Sequence, residues 1–135
     1  MRLFVDTGAW FALNSRTDEN HAAAARFLRR FQKEPVRLYT SDYVIDETLT
    51  LLRFKVAHLQ AIRFLDFLAR SPSISRQVVT SELFDQAVAI FRKYRDKPWS
   101  FTDCVSFALM DALDLSRAFA FDHNFTQYGK ELYPF

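Results

Sequence analysis

Short apolar runs alternate with longer stretches of helical periodicity, and this alternation constrains the fold more than any other feature of the sequence. Four β-favouring runs, each followed by polar or acidic residues typical of a helix start, predict strands at 3–5, 37–40, 77–79 and 118–121. Apolar residues at helical spacing predict helices over 19–33, 43–54, 59–69 and 81–94, with one more beginning near 100–103. With only 2 Gly and 4 Pro, hairpin signals are scarce. The sequence therefore predicts an α/β fold with a mainly parallel sheet flanked by helices.

Size and composition predict one helix-rich, cytoplasmic domain over residues 1–135. The chain is 50% hydrophobic and 25% charged, which is enough to bury a core and excludes disorder as the main state. No apolar run approaches the roughly 20 residues of a membrane span, and Asp6 interrupts the first apolar run too early for a signal peptide. The single cysteine, Cys104, excludes an internal disulfide and cannot by itself form a zinc site.

The net charge of +2 gives no whole-chain argument for nucleic-acid binding, so any such argument depends on local patches. Two basic runs lie on predicted helices: Arg26, Arg29, Arg30 and Lys33, and then Arg92, Lys93, Arg95 and Lys97. Such runs are typical of solvated helix faces, and contact with RNA phosphates is the alternative interpretation. The 15 phenylalanines are expected mostly in the core, with a surplus available for a partner groove or a dimer face.

Acidic residues follow the predicted strands at the edge where an open α/β sheet forms its functional crevice. Asp6 comes directly after the first strand and Asp122 directly after the last. Asp103 lies in the first turn of the late helix, where its spacing from Ser100 resembles a capping signal. Glu47 lies about one and a half turns into the helix after the second strand. We therefore expect four carboxylates from four segments to meet in one crevice.

Carboxylates at close range repel one another, and such a cluster raises pKa values or binds cations. Oxygen ligands suit Mg²⁺ or Mn²⁺, whereas one cysteine and three scattered histidines do not indicate zinc. Ions of this kind activate water and stabilise the charge that develops on a phosphodiester during in-line displacement. The acidic pattern thus indicates nuclease chemistry.

The chain resembles the PIN domain, and most closely the VapC-type toxin ribonucleases of toxin–antitoxin systems. Four pieces in order carry the resemblance, which spans essentially the whole chain: Asp6-Thr7 after an N-terminal strand, Glu47 in an acidic–apolar helix start, Thr102-Asp103 opening a late helix, and Phe121-Asp122-x-x-Phe125 after the last strand.

The resemblance implies a three-layer α/β/α PIN-like fold and a Mg²⁺- or Mn²⁺-dependent endoribonuclease that cleaves structured RNA by metal-activated water. It also implies a cognate VapB-type antitoxin as partner and a homodimer, with no membrane association. By motif position, Asp6 and Asp103 resemble the direct metal ligands, and Glu47 and Asp122 complete the acidic quartet. Thr7 resembles a small hydroxyl residue that hydrogen-bonds a carboxylate or phosphate, and Thr102 supports the site beside Asp103.

The sequence departs from the family pattern at one place. Many relatives carry another acidic residue shortly after the last aspartate, whereas this chain has His123 and Asn124. Structural interpretations also exist for single members of the quartet. Asp103 is a good helix cap, Glu47 is compatible with an exposed helix position beside Asp46, and Asp122 suits a turn.

Two other classes of function remain open. A catalytically silent PIN-like module would keep the fold and bind RNA or protein in its grooves, although the intact quartet argues against it. A different phosphoryl-transfer enzyme on a doubly wound sheet is the second alternative. Its commonest forms are disfavoured, because Asp6-Thr7-Gly8-Ala9 lacks the Asp-x-Asp of aspartyl phosphatases and no strand-end lysine like that of receiver domains is present.

Overall fold

Five parallel strands and seven helices make up residues 1–133, the part of the chain that this computed structural model describes. The predicted single domain extends to residue 135, so its last two residues lie outside the described range. The elements alternate along the chain in the order β1 Arg2–Val5, α1 Thr7–Asn14, α2 His21–Phe31, β2 Arg37–Ser41, α3 Asp42–Lys55, α4 His58–Ala69, β3 Ile74–Gln77, α5 Ser81–Lys93, α6 Phe101–Ala112, β4 Arg117–Phe119, α7 Asn124–Gln127 and β5 Glu131–Tyr133.

The sheet has the order β3-β2-β1-β4-β5, and every strand pairs in parallel with its neighbours. The chain builds outward from β1 through β2 to β3 and then returns to the other side of β1 for β4 and β5. This reversal places a topological switch point between β1 and β4, where open α/β sheets form their crevice. The predicted parallel sheet and the three-layer α/β/α architecture are confirmed.

The core is centred on β1 and α6. Leu3, Phe4 and Val5 of β1 are completely buried, as expected for a central strand with both faces covered. In α6, every side chain from Cys104 to Met110 is buried. A helix that is apolar all round and begins at the crevice therefore forms a rigid support for the residues of its first turn.

Side-chain caps set the starts of two of the helices that carry site residues, α3 and α6. Ser41 caps α3 by accepting a hydrogen bond from the Val44 N–H at 3.1 Å. Ser100 and Asp103 form a reciprocal capping box at the start of α6, with N–H to oxygen distances of 3.0 and 3.1 Å. The predicted capping signal at Ser100 and the first-turn position of Asp103 are confirmed.

The third strand was predicted wrongly at 77–79, and the structure places β3 at Ile74–Gln77. The pair Val78-Val79 has high β-propensity, but Val78 is 67% exposed and the Val79 N–H donates to the Asp42 Oδ1 instead of to a strand. The backbone bond that a strand needs is thus used to attach the start of α5 to the start of α3. The fourth strand also ends earlier than predicted, at Phe119 rather than at 121.

Three elements had no predicted counterpart. Helix α1 follows β1 directly and has no polar stripe, because Thr7, Ala9, Trp10 and Ala12 are all buried. Without an apolar–polar alternation, its sequence gives no helical periodicity to detect. Helix α7 and strand β5 span only four and three residues, too short for a pattern.

Candidate active site

Asp6 lies at the switch point, directly after the central strand. Its backbone N–H donates to the Phe119 carbonyl at 3.1 Å, which joins the ends of β1 and β4. The residue occupies the N-cap position of α1, yet its carboxylate makes no capping hydrogen bond. Asp6 is only 7% exposed. Burying an ionised carboxylate costs free energy of folding unless a hydrogen-bond donor or a cation compensates its charge.

Electrostatics at Asp6 show that the four carboxylates interact. Burial, and then the negative charge of Asp103, raise the pKa of Asp6 from 3.8 to about 7, with smaller contributions from Glu47 and Asp122 and a partial offset from the Thr7 N–H. Several carboxylates in one place repel one another when all are ionised, so the binding of either a proton or a cation is favoured there. The crevice is therefore poised to bind positive charge.

Asp103 and Asp122 are bridged by Asn124. The amide Nδ2 of Asn124 donates to the Asp103 Oδ2 at 3.0 Å and to the Asp122 Oδ2 at 3.1 Å, and its backbone N–H donates to the Asp122 Oδ1 at 3.0 Å. Burial raises the pKa of Asp103, and its bonds from Ser100 and Asn124 partly counter the shift. Asn124 thus positions two acids without adding charge.

Glu47 completes the set from α3 and is half-buried on the face of the helix that turns toward the crevice. One position earlier, Asp46 is exposed, as the helical spacing requires. All four predicted carboxylates line one open cavity of about 610 Å³, together with Thr7, Gly8, Phe11, Asp18, Leu51, Lys55, Pro98, Ser100, Phe121 and Asn124. The structure thus brings together the four carboxylates that were predicted to converge, Asp6, Glu47, Asp103 and Asp122.

The two predicted supporting threonines occupy different places. Thr7 lines the acidic cavity, and its Oγ1 is buried with no hydrogen-bond partner among the described residues. Thr102 does not line this cavity. It lines a neighbouring groove of about 540 Å³ that shares Glu47 and Leu51 with the acidic cavity, and this groove also contains Asp42, Tyr43, Asp46 and Thr50.

Three cavity residues were missed by sequence reasoning as members of the site. Asp18, in the turn before α2, adds a fifth carboxylate, and its Oδ2 accepts a hydrogen bond from the Asn20 N–H at 3.0 Å. Lys55, at the end of α3, brings a cation to the same cavity. Asn124 was noted only as a departure from the family pattern. For Asn124 a signal existed, since it lies two residues after Asp122 in the segment that follows the last predicted strand. For Asp18 and Lys55 no signal existed, because no local sequence pattern indicates that their segments lie beside the cavity.

The donor set fits a hard divalent cation that keeps part of its water shell. Only oxygen ligands face the cavity, and the raised pKa of Asp6 marks a place where positive charge is favourable. Within residues 1–133, no group of three or more His, Cys, Asp or Glu side chains stands ready-made around one metal position. Mg²⁺ does not need such a cage, because it is usually held by one or two carboxylates together with water and substrate phosphates.

Known proteins with this arrangement define its class. The PIN domain family matches residues 3–131. The 23S rRNA-specific endonuclease VapC20 of Mycobacterium tuberculosis is 32% identical over 127 residues, covering 94% of each chain. A VapC ribonuclease of Archaeoglobus fulgidus is 28% identical over 128 residues, covering 93% of this chain and 80% of that protein.

A solved structure has the same fold as this chain. The crystal structure of M. tuberculosis VapC20, described as a sarcin–ricin loop cleaving toxin, superposes with a TM-score of 0.87 at 31% identity and covers 95% of both chains. The chain therefore belongs to the PIN domain family. Within that family it is of the VapC type, the nuclease group that the sequence motifs resemble.

Proposed function

We propose that the protein is the toxin of a toxin–antitoxin pair, an endoribonuclease that cleaves structured RNA in the acidic cavity with Mg²⁺ or Mn²⁺. The observation that carries the proposal is the meeting of Asp6, Glu47, Asp103 and Asp122 at the switch point of the sheet, where burial and the neighbouring carboxylates raise the pKa of Asp6 to about 7. Because the similar protein VapC20 of M. tuberculosis is described both as a 23S rRNA-specific endonuclease and as a sarcin–ricin loop cleaving toxin, an RNA with this loop is the proposed substrate. Such a substrate places the enzyme in the cytoplasm.

The acidic residues would divide the work according to their surroundings. Asp6 and Asp103 would hold the ion, since Asp6 is buried at the cavity floor and Asp103 is fixed by the first turn of α6. Glu47 and Asp122 would complete its environment, partly through water. When bound, the ion supplies activation of water and neutralises charge on the phosphodiester.

Other side chains of the cavity would orient the substrate and the acids. The Asn124 amide keeps Asp103 and Asp122 at fixed separation. The unpartnered Thr7 hydroxyl can donate to a carboxylate or to a phosphate oxygen. The Lys55 ammonium is the cation of the cavity and would attract the RNA backbone toward an otherwise acidic site.

Partner binding is proposed through an apolar surface that the monomer leaves exposed. Between the end of α3 and the middle of α4, five large apolar side chains are 38% to 78% exposed: Phe54, Val56, Leu59, Ile62 and Leu65. We call this set the α3–α4 patch. Large exposed apolar side chains that fall this close together in the chain are typical of interaction sites, and they support a homodimer and a VapB-type antitoxin as partners. No helix in residues 1–133 is long and apolar enough to cross a membrane.

The test is cleavage of a hairpin RNA that contains the sarcin–ricin loop by purified, antitoxin-free protein. We expect cleavage in MgCl₂ or MnCl₂ and none in EDTA. Asp6→Asn should lower the rate at least about 100-fold, because the loss of a direct metal ligand should cost no less than the loss of a residue that only orients a ligand. Asp66→Asn is the matched control, since Asp66 is exposed on α4 and lies outside the cavity.

Two results would contradict the proposal. Cleavage undiminished by EDTA would remove the metal mechanism. Binding of RNA without cleavage, in any metal and with other structured RNAs as well, would favour the catalytically silent binding module.

A further inference from the structure

A second, smaller cavity adjoins the acidic one. It has a volume of about 310 Å³ and is lined by Phe91, Tyr94, Arg95, Lys97, Trp99 and Cys104. We call it the aromatic–basic cavity. The segment from 97 to 104 separates the two: Lys97 and Trp99 line the aromatic–basic cavity, whereas Pro98 and Ser100 line the acidic one. Alternate residues of this one short segment therefore line the two cavities, which lie on either side of it.

The aromatic side chains form a rigid platform. Trp99 is 6% exposed, donates its Nε1–H to the Gln127 Oε1 at 3.0 Å, and packs edge-on against Phe107 at a centroid distance of 5.0 Å. The Tyr94 ring lies 4.8 Å from that of Trp99 and is half-buried. Phe91 is 50% exposed. Ring faces held in place in this way are the surfaces on which unstacked nucleobases pack.

The cations beside these rings are not engaged with strong anionic partners. Arg95 is exposed and takes part in no ion pair within the described residues. Lys97 pairs only with its neighbour Asp96, at 3.8 Å, and Asp96 is itself 76% exposed. An exposed pair between adjacent residues contributes little stability. Both cations are therefore available to a phosphate.

We propose that the aromatic–basic cavity is a nucleotide subsite that holds one unstacked nucleotide of the RNA next to the scissile phosphate. The base packs against Tyr94 and Phe91 at the mouth of the cavity, and the phosphate binds Arg95 and Lys97. A volume of about 310 Å³ is at the small end of ligand sites, which suits one nucleotide and excludes a duplex. The inference rests on the proposed function in taking the polymer to be RNA and the acidic cavity to be the place of cleavage.

The subsite determines which RNA is cut. Single-stranded loops are the parts of structured RNA whose bases can be splayed out and stacked on aromatic side chains. An enzyme that must seat one unstacked nucleotide beside its acidic centre will cleave loops and spare regular helices. The acidic residues alone provide no such selection, because they recognise only the phosphodiester.

The test compares two double variants with the same change in net charge. Arg95→Ala with Lys97→Ala removes the cations of the cavity, and Arg29→Ala with Lys33→Ala removes an exposed arginine and lysine from the region of α2. A single-stranded RNA hexanucleotide is titrated in EDTA, and tryptophan fluorescence is followed. Trp99 lines the cavity, and Trp10, the second of the two tryptophans, is fully buried elsewhere.

We expect quenching with similar affinity in the wild type and the α2 variant, and about tenfold weaker affinity in the cavity variant. A sarcin–ricin hairpin with single abasic positions is then used for cleavage. In the wild type, one abasic position near the cut should reduce the rate strongly. In the cavity variant, the same abasic position should lower the rate little further, because both changes weaken the seating of the same nucleotide in the cavity and their effects are therefore not additive.

The outcomes separate this proposal from the ribonuclease proposal. Quenching that depends on Arg95 and Lys97, in a protein that cleaves no RNA, supports the subsite and contradicts the ribonuclease. Cleavage with equal affinities and identical abasic profiles in all three proteins overturns the subsite and leaves the ribonuclease intact. Loss of antitoxin binding without loss of RNA affinity in the cavity variant also overturns the subsite, since the cavity would then serve a protein.

Discussion

A single carboxylate, Asp6, carries most of the electrostatic cost of the site. In the metal-free protein its pKa is raised to about 7 from an ordinary 3.8, chiefly by burial and by Asp103. The folded chain therefore binds a proton more tightly than the unfolded chain does. The stability that this proton provides is fully present below about pH 4 and is lost as the pH rises toward 7.

Asp6→Asn should remove this pH dependence. We expect the variant to gain on the wild type between about pH 4 and pH 7, by up to a few kcal/mol, and then to hold a constant difference. Urea unfolding at a series of pH values in EDTA measures it, with Asp66→Asn as the control whose difference stays flat. A difference of the opposite slope, in which the variant loses stability relative to the wild type as the pH rises, would mean that hydrogen bonds hold the Asp6 carboxylate as part of the scaffold.

Asn124 keeps two acids together without a charge of its own, so Asn124→Asp tests how much negative charge the cavity tolerates. The added carboxylate loses both donated amide bonds and repels Asp103 and Asp122. We expect a lower melting temperature in EDTA and a larger rise on addition of MgCl₂, by mass action. His123→Asp adds the same charge at an exposed neighbour outside the cavity. Equal melting curves for the two variants in both buffers would contradict the bridging role.

The quartet could be predicted because the ends of parallel strands share an edge, which brings Asp6 and Asp122 together whatever the loops do. The capping spacing of Ser100 and Asp103 similarly fixes Asp103 at a helix start. Asp18 and Lys55 could not be predicted, since they reach the cavity through the path of a loop and the exact length of α3. Their positions depend on tertiary packing.

At the scale of elements, the capping box of α6 connects helix stability with the position of Asp103. Ser100→Ala removes a bond to the Asp103 N–H and should lower the free energy of unfolding by about 1 kcal/mol. It should also reduce RNA cleavage, because Asp103 loses part of its restraint.

Thr80→Ala is the matched control, since Thr80 caps α5 through the same kind of bond, to the Leu83 N–H at 3.2 Å, outside the acidic cavity. We expect a similar loss of stability with unchanged cleavage. Denaturant titrations and initial cleavage rates measure both. Equal cleavage by the two variants would show that the cap of α6 serves the helix alone.

Element boundaries show where sequence patterns fail. Residues 77–79 attract a strand prediction through Val78 and Val79, yet the register Leu38↔Ile74 to Ser41↔Gln77 is already complete when Gln77 is reached. The β-propensity of a residue describes how it suits a half-buried sheet surface, and Val78 is exposed. The end of β3 is determined by its pairing with β2, and the sequence of β3 alone does not indicate that pairing.

At the scale of the molecule, the α3–α4 patch predicts self-association. Light scattering of the isolated chain at micromolar concentration should give about twice its mass of 15.9 kDa. Leu59→Lys with Ile62→Lys places two charges in the patch and should yield a monomer. Arg63→Lys, on the same helix and also exposed, leaves the charge unchanged and is the control. A wild-type monomer at high concentration would contradict the dimer without affecting the nuclease.

The fold class was predictable at this scale because the alternation of strands and helices, with few turn residues, permits little else than a parallel sheet. The edge strand β5 was not, since its three residues gain their structure from pairing with β4.

The four acids of the site come from segments spread along the chain, and this has a consequence for how the protein is made. A nascent chain that ends after α6 contains Asp6, Glu47 and Asp103 but lacks Asp122, Asn124 and two of the five strands of the described sheet. Synthesis from the N-terminus thus delays completion of the acidic cavity until β4 has emerged and docked beside β1. If ribosomal RNA is the substrate, the ribosome builds an enzyme that stays harmless to it during most of translation.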